Sequence, residues 1–390
     1  MSDSKKTVCL DNIPEEILNL PEEMFKSPEI GEIRDEEFKT KPIGFFKDSM
    51  LRLSKKKVSM ISFSFIVIII LLAIFAPNFN EFTYVQQHVT PLDLRNMPPR
   101  VPGLKNLGIL NGTRVIPNVR MTSVEDPDRF PPGSVLDVRN EREVLGITMV
   151  DVLVDFYVYN DVEDMYFWFG TDHLGRDLFT RLFRGTRISL FIAFVAVFTN
   201  LIIGVIYGAV MGYYGGTTDM IMNRIIEILD GIPNLVIIIM FVLMYGTGIM
   251  SLIVALCLTG WIGVARLTRA QFYRFKVREY VLAARTLGVR DKMLIFRHIL
   301  PNSMGILITR TMLAIPGAIF FESFLAYIGL GIQAPEPSLG ILLADGQTVL
   351  LQFPYQVFFP AMVLSVLMVS FNLFSDGLRD ALDPTKRGED

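Results

Sequence analysis

Runs of uncharged apolar residues, each long enough to cross a lipid bilayer, set the outer limits on this fold. Val58–Ala76 holds 19 residues without a charge. As a helix rising about 1.5 Å per residue it covers a hydrocarbon core of roughly 30 Å. Ile188–Tyr213 is likewise uncharged, and so is the 35-residue stretch between Asp230 and Arg266, which is too long for one span. Gly246-Thr247-Gly248 predicts a tight turn there, between a third helix beginning near Met220 and a fourth. A fifth helix is expected over Ser303–Leu330, carrying Arg310 and Glu322, and a sixth over Gln356–Ser375. With 51% hydrophobic and only 20% charged residues, the chain falls among integral membrane proteins. The expected fold is an all-α membrane protein with six transmembrane helices.

Orientation follows from lysine and arginine in the short connections. Arg266–Arg297 carries nine basic residues against Glu279 and Asp291, and is expected on the cytoplasmic side. Gly331–Tyr355 contains no lysine or arginine and is expected outside, whereas Lys55-Lys56-Lys57 is expected inside. Residues 1–57 then form a cytoplasmic tail, 58–76 the first span, and both termini face the cytoplasm from the cell membrane. The polar tail and the lack of a small-residue cleavage site argue against a cleaved signal peptide. A net charge of -3 gives no general attraction for nucleic acid. Cys9 and Cys257 are too few and too badly placed for a disulfide framework or a metal site.

The connection Pro77–Arg187 is expected outside, since long loops translocate largely regardless of charge. Its period-two stretch Val150–Tyr159 and its prolines, Pro98-Pro99, Pro102 and Pro131-Pro132, predict short strands and turns. We read residues 78–168 as a small β-rich extracytoplasmic insert between the first two spans. It is either a spacer or a docking surface for an extracellular partner. Residues 169–187 read as an external amphipathic segment, with Thr171 or Asp172 as a helix cap and Asp177 and Arg181 as an i,i+4 pair. Leu178, Phe179, Leu182 and Phe183 would lie on the outer membrane face. For Asp172, Gly175, Arg176, Asp177, Arg181 and Arg187 the expected role is an external gate or docking rim. His173 beside two aspartates is too little for a metal site.

Glu279–Asn302 reads as a mechanical element. Tyr280–Leu287 suits a helix in which Ala283 and Ala284 leave room for a partner's backbone, and Gly288 permits a sharp turn. Asp291–Ile299 suits a second amphipathic piece, which Pro301 is expected to end. Such an elbow between two spans transmits rigid-body motion when another protein pushes on it. The alternative is an interfacial helix pinned by its arginines to anionic membrane lipid. Glu322, an ionisable group on a spanning helix, marks a functional position by default. It is a candidate for the translocation path or a partner for Arg187; an inter-helix hydrogen bond is the other reading. Arg310 lies near enough to the inner side to snorkel.

Residues 282–301 resemble the EAA loop of permease subunits from binding-protein-dependent ABC importers, whose pattern is E-A-A, three residues, G, nine residues, I-x-L-P. Ala283, Ala284, Gly288, Leu300 and Pro301 match at that spacing. Leu282 and His298 depart from it, both in the manner of the oligopeptide/dipeptide branch. Phe169–Leu190 resembles the signature before the second helix of that branch's C-type subunit, and Tyr214–Pro233 the loop after it. The resemblance covers about residues 165–385.

The resemblance implies a type I ABC importer (MetI-like) permease domain at 188–385 with its coupling loop at 266–302. The loop would meet a cytoplasmic ATPase through Tyr280, Leu282, Ala283, Ala284, Arg285, Gly288, His298, Leu300 and Pro301. It also implies a homologous B-type permease, two ATP-binding subunits, and an extracellular or periplasmic binding protein that delivers oligopeptides. The chain has no Gly-Lys pair, hence no G-x-x-x-x-G-K-[ST] phosphate loop. No catalytic residue, metal or cofactor is assigned to it; ATP and magnesium are expected in the partner subunits. Nickel or another small solute is the alternative cargo, disfavoured by the scarcity of histidine and cysteine. A secondary transporter working alone would carry more ionisable residues at mid-membrane than Glu322 and Arg310. An intramembrane hydrolase would need H-E-x-x-H or G-x-S-x-G, which the sequence lacks.

Overall fold

The computed structural model describes residues 45–89, 93–103 and 109–382. Most of the expected tail, with Cys9, and the end of the expected permease domain past 382 lie outside the described residues. The chain divides into Met1–Phe45 and a second unit, Phe46–Asp390, to which the spans, the insert and the elbow belong. A short helix, α1 (Phe45–Lys55), leads into the first span, α2 (Lys57–Phe75). After the insert come α3 (Leu178–Tyr214), α4 (Gly216–Asp230) and α5 (Asn234–Tyr245). Next are α6 (Ile249–Thr259), α7 (Ile262–Phe275) and the short α8 (Glu279–Thr286). The last three are α9 (Asp291–Leu330), α10 (Leu339–Thr348) and α11 (Tyr355–Leu382). Among the described residues five helical runs are long and apolar enough to cross a membrane, or six if the bent pair α4 and α5 is one span.

That pair corrects the expected third helix: its halves meet at 76° across Gly231-Ile232-Pro233. Pro233 supplies no N–H to the helix ladder and biases the residue before it toward extended backbone. A second correction concerns α3, which starts at Leu178 instead of near Ile188. Residues 169–187 therefore form no separate helix lying flat on the membrane. Leu178, Phe179, Leu182 and Phe183 are buried, with Phe179 and Phe183 against Trp168 and Phe169.

Pro301 does not end the second limb of the elbow. Leu294–Ile299 is a π-helical turn, and the Leu300 N–H donates to the Ile295 carbonyl five residues back. The wider turn absorbs the proline, whose missing N–H falls in the first turn of the next helical stretch. α9 consequently runs from the elbow through the fifth span without a break as far as Gly329, whose φ of 85° is non-helical. Before the elbow, Arg266–Phe275 belongs to α7, so the connection is shorter than 266–302.

Centrally placed, α3 packs against α2, α6, α7 and α9. Gly204, Gly208 and Gly212 make its face toward α7, where an added Cβ would lie under 3.0 Å from Val264, Ala265 and Phe272. Small residues spaced by four let two helix backbones approach this closely. The insert holds three antiparallel strands, β1 (Thr113–Arg120), β2 (Val135–Val144) and β3 (Ile147–Asp155), in the order β1-β3-β2. Alternation puts Val150, Val152 and Val154 on one face with Val119 and Phe130. The end of the period-two stretch, Phe156–Tyr159, instead makes one helical turn capped by Asp155.

Candidate functional site

At the elbow, α8 closes on Gly288, whose φ of 79° is left-handed. Its N–H donates to the Arg285 carbonyl at 3.0 Å and that of Val289 to the Ala284 carbonyl at 3.2 Å. Glycine takes this conformation without strain, which gives a tight stop to the helix. The inner side of the elbow is a packed cluster: Val281, Leu294, Ile295 and Ile299 against Ala209, Tyr213 and Phe272, with Ala284 and Leu300 at its margin. Tyr213 also donates its hydroxyl hydrogen to Asp291 Oδ1 at 2.5 Å, fastening α9 to the end of α3. The outer side is bare. Tyr280, Leu282, Leu287 and Phe296 are exposed, as are Ala283, Arg285 and Pro301. An added Cβ at Gly288 would meet nothing within 4 Å. Large apolar side chains grouped on one exposed side mark a surface for another protein. His298 lies in the π-helical turn, where its carbonyl accepts from Asn302 Nδ2 at 2.6 Å.

The basic residues around the elbow also hold the fold. Arg269 grips Asp219 of α4 with both Nε and Nη2, at 2.5 and 2.6 Å, and Tyr273 donates to the same carboxylate at 2.9 Å. Arg266 pairs with Asp230 at 2.8 Å. Their loop-like charge density hid that they lie on α7.

The residues expected at an external gate, Arg187 apart, form a buried knot. Asp172 accepts from the backbone N–H groups of Leu174 and Arg176, at 2.9 and 3.0 Å, and from Arg176 Nε at 2.7 Å. Arg181 approaches the same carboxylate at 3.4 Å. Asp177 does not pair with Arg181. It caps α3 by accepting from the Thr180 N–H at 2.8 Å and accepts from Asn80 Nδ2 at 2.9 Å. Burial pushes its carboxyl up to about 6, against the opposing pull of these hydrogen bonds. Gly175, at φ 71°, leaves room for the His88 backbone, whose N–H donates to the Gly175 carbonyl at 3.2 Å. The knot thus ties the chain after α2 onto the N-terminal end of α3.

Two further contacts extend the knot and were not legible in the sequence. Arg184 donates to both oxygens of Glu336 at 3.2 Å, and Tyr84 to one of them at 3.1 Å. Arg176 lies 4.0 Å from Asp345 on α10. Arg187 donates to the carbonyls of Ala73 and Ile74, at 2.8 and 2.6 Å, capping α2. It is not the partner of Glu322, which is fully buried and accepts from Ser189 Oγ at 2.9 Å.

The family described as the binding-protein-dependent transport system inner membrane component matches residues 204–388. The N-terminal transmembrane domain of oligopeptide transport permease C matches residues 44–99. The oligopeptide transport system permease protein OppC of Bacillus subtilis (strain 168) is 36% identical over 95% of this chain and 99% of its own length. That match crosses the insert, where the motifs alone had shown no resemblance. The dipeptide transport system permease protein DppC of the same organism is 50% identical over 56% of this chain and 69% of its own length. DppC of Lactococcus lactis subsp. cremoris is 36% identical over 88% and 91%. Among solved structures, an inward-facing MetNI methionine ABC transporter aligns over 52% of this chain and 96% of that chain, with 16% identity and a TM-score of 0.42. With both parts of its membrane region matched and a relative aligned almost end to end, the chain belongs to the inner membrane permeases of binding-protein-dependent transport systems, in the oligopeptide permease C group.

Proposed function

We propose that this chain is one permease subunit of an ATP-driven oligopeptide importer, and that it forms half of a translocation path with a homologous B-type permease. The bare apolar side of the elbow, backed by a packed cluster on α3 and α7, carries the reading. A cytoplasmic ATP-binding subunit takes hold of α8 at Tyr280, Leu282, Ala283, Ala284, Arg285 and Gly288. His298, Leu300 and Pro301 pass the grip into α9. Two such subunits supply ATP, magnesium and hydrolysis. The names of the relatives, which transport oligopeptides and dipeptides, support peptide as cargo. The run of basic residues at 266–297 supports an elbow inside and both termini in the cytoplasm. The insert and the knot beneath it then face the binding protein that delivers the peptide.

Mechanically, a helix that continues from the elbow through the bilayer needs no hinge to carry a push across it. Because Tyr213 and the buried cluster join α3 to the start of α9, closure of the ATPases turns both helices together. The test is uptake of labelled peptide into proteoliposomes holding the full complex. Ala284→Arg and Gly288→Leu are expected to leave membrane insertion intact and abolish uptake, because bulk fills the space a partner needs. Normal uptake by either variant would overturn the assignment of the elbow.

A further inference from the structure

The outer connection Gly331–Tyr355 holds a helix that its sequence did not announce, and the first turn of that helix is fastened deep in the bundle. Ser338 caps α10, its hydroxyl accepting from the Ile341 N–H at 3.3 Å. Ser189 of α3 accepts from the Leu339 N–H at 3.2 Å and donates to Glu322 of α9 at 2.9 Å. The Ser338 hydroxyl lies beside the same carboxylate, and Ser323 approaches it at 3.5 Å. Glu322, Ser189 and Ser338 are all fully buried. Backbone meets backbone on either side. An added Cβ would lie 3.1 Å from Ser338 if placed on Gly185 of α3, and 2.5 Å from Ser323 if placed on Gly340 of α10. One carboxyl group therefore joins three helices at a point with no spare room.

The two helices that seat α10 are the two that carry the elbow. At their other ends Tyr213 of α3 bonds Asp291 of α9, and both enter the buried cluster beneath α8. Between Asp291 and Glu322 the helix is longer than the roughly 30 Å hydrocarbon core. We propose that Glu322 is a positioning residue that latches α10 to the α3–α9 pair, so that α10 covers the outer end of the path and moves with the helices the elbow drives. The proposal rests on reading the elbow as the grip of the ATPase. An ionisable side chain inside a membrane is costly and persists where it is needed; here it orients the start of the one helix in the outer connection. Without the latch, α10 lags behind the pair, and ATP is hydrolysed with less import.

The test reads peptide uptake and ATP hydrolysis together, in proteoliposomes holding the assembled importer. Glu322→Ala is expected to lower uptake per ATP about tenfold, the size of one lost buried hydrogen-bonded group, with hydrolysis retained. Glu322→Gln keeps an acceptor for Ser189 and is expected to stay within about threefold of the unsubstituted protein. A second variant works in a background with Cys9 and Cys257 replaced by serine. There, Ser189→Cys with Ser338→Cys in the Glu322→Ala chain is expected to regain coupling when oxidised to a disulfide, and to lose it on reduction. Unchanged uptake per ATP in Glu322→Ala, or a disulfide that blocks import, would overturn the latch. So would loss of ATP hydrolysis that the disulfide fails to restore, which would make Glu322 a packing residue only. Absence of ATP-driven uptake by the unsubstituted complex would instead overturn the importer reading beneath it.

Discussion

The elbow at Glu279–Asn302 and the knot at Phe169–Arg187 are the two stretches richest in motif residues, and they are built in opposite ways. Leu287 at the elbow is 84% exposed and Phe296 61%, whereas Asp177 and Arg181 in the knot are 0% and 2% exposed. In the elbow apolar groups face out and a glycine fixes the turn; in the knot charges face in, with Asp172 set against Arg176 and Arg181 and Asp177 held by Asn80 and a backbone N–H. A motif at a bare surface serves another molecule, and a motif in a sealed interior serves the chain's own shape. Charged residues were expected at a rim, and burying a charge is ordinarily costly. The knot shows the exception, in which each carboxylate collects several donors and no large part of it meets water.

Stability measurements separate the two regions most widely. Asp172→Ala strands Arg176 and Arg181 without their carboxylate, and is expected to cost about 3–5 kcal/mol, read from thermal unfolding in detergent. A loss near zero would mean that the knot is solvated and the contrast is false. The next effect depends on pH. Asp177 holds its proton up to about 6, against an ordinary value of 3.8, so the folded chain binds that proton more tightly than the unfolded chain. Its contribution is therefore most favourable below about pH 4 and weakens by about 3 kcal/mol as the pH rises to 6. Asp177→Asn keeps an acceptor for the Thr180 N–H and is expected to remove that part of the decline. Identical profiles of Tm against pH for the two proteins would contradict the buried acid.

Smaller effects calibrate the comparison at sites facing water. Leu145, 97% exposed, sits at φ 52° beside Gly146 at φ 77° in the turn between β2 and β3. A branched hydrocarbon side chain gains nothing there, and asparagine tolerates the left-handed backbone better. Leu145→Asn is expected to raise stability by about 1 kcal/mol in the same unfolding assay. Leu287→Ser is expected to change stability by no more than about 0.5 kcal/mol. It should nevertheless weaken capture of the ATP-binding subunits in a pull-down from detergent, and full capture would show that the bare side is not the contact.

Much of this architecture was legible because a bilayer asks for long uncharged runs and an amphipathic elbow asks for a glycine stop. The helix over Glu279–Thr286 falls within one residue of the expected Tyr280–Leu287 at each end. The misplaced boundaries have two causes: a partner elsewhere in the chain that permits a buried charge, and local backbone geometry that residue types do not announce. Arg181, Arg184 and Arg187 kept the expected span from starting before Ile188, whereas in the structure Asp172, Glu336 and the last carbonyls of α2 meet them. Pro301 argued for a stop because a π-helical turn cannot be read from residue types. α10 stayed hidden in a connection treated as a loop, although Ser338 ahead of Leu339 is a fair capping signal. The ladder of Gly204, Gly208 and Gly212 was the clearest signal left unread. For Glu322, sequence reasoning found the residue but not its partners, since Ser189 and Ser338 are ordinary in their own surroundings.

The proposed mechanism requires that the elbow lie in the cytoplasm and be held there by another protein. Leu287→Cys, with Cys9 and Cys257 replaced by serine, places one thiol on its bare side. Membrane-impermeant maleimide is then applied to inside-out and to right-side-out vesicles, with and without the ATP-binding subunits. Labelling is expected in inside-out vesicles only, with protection once those subunits are bound. Labelling confined to right-side-out vesicles would contradict it.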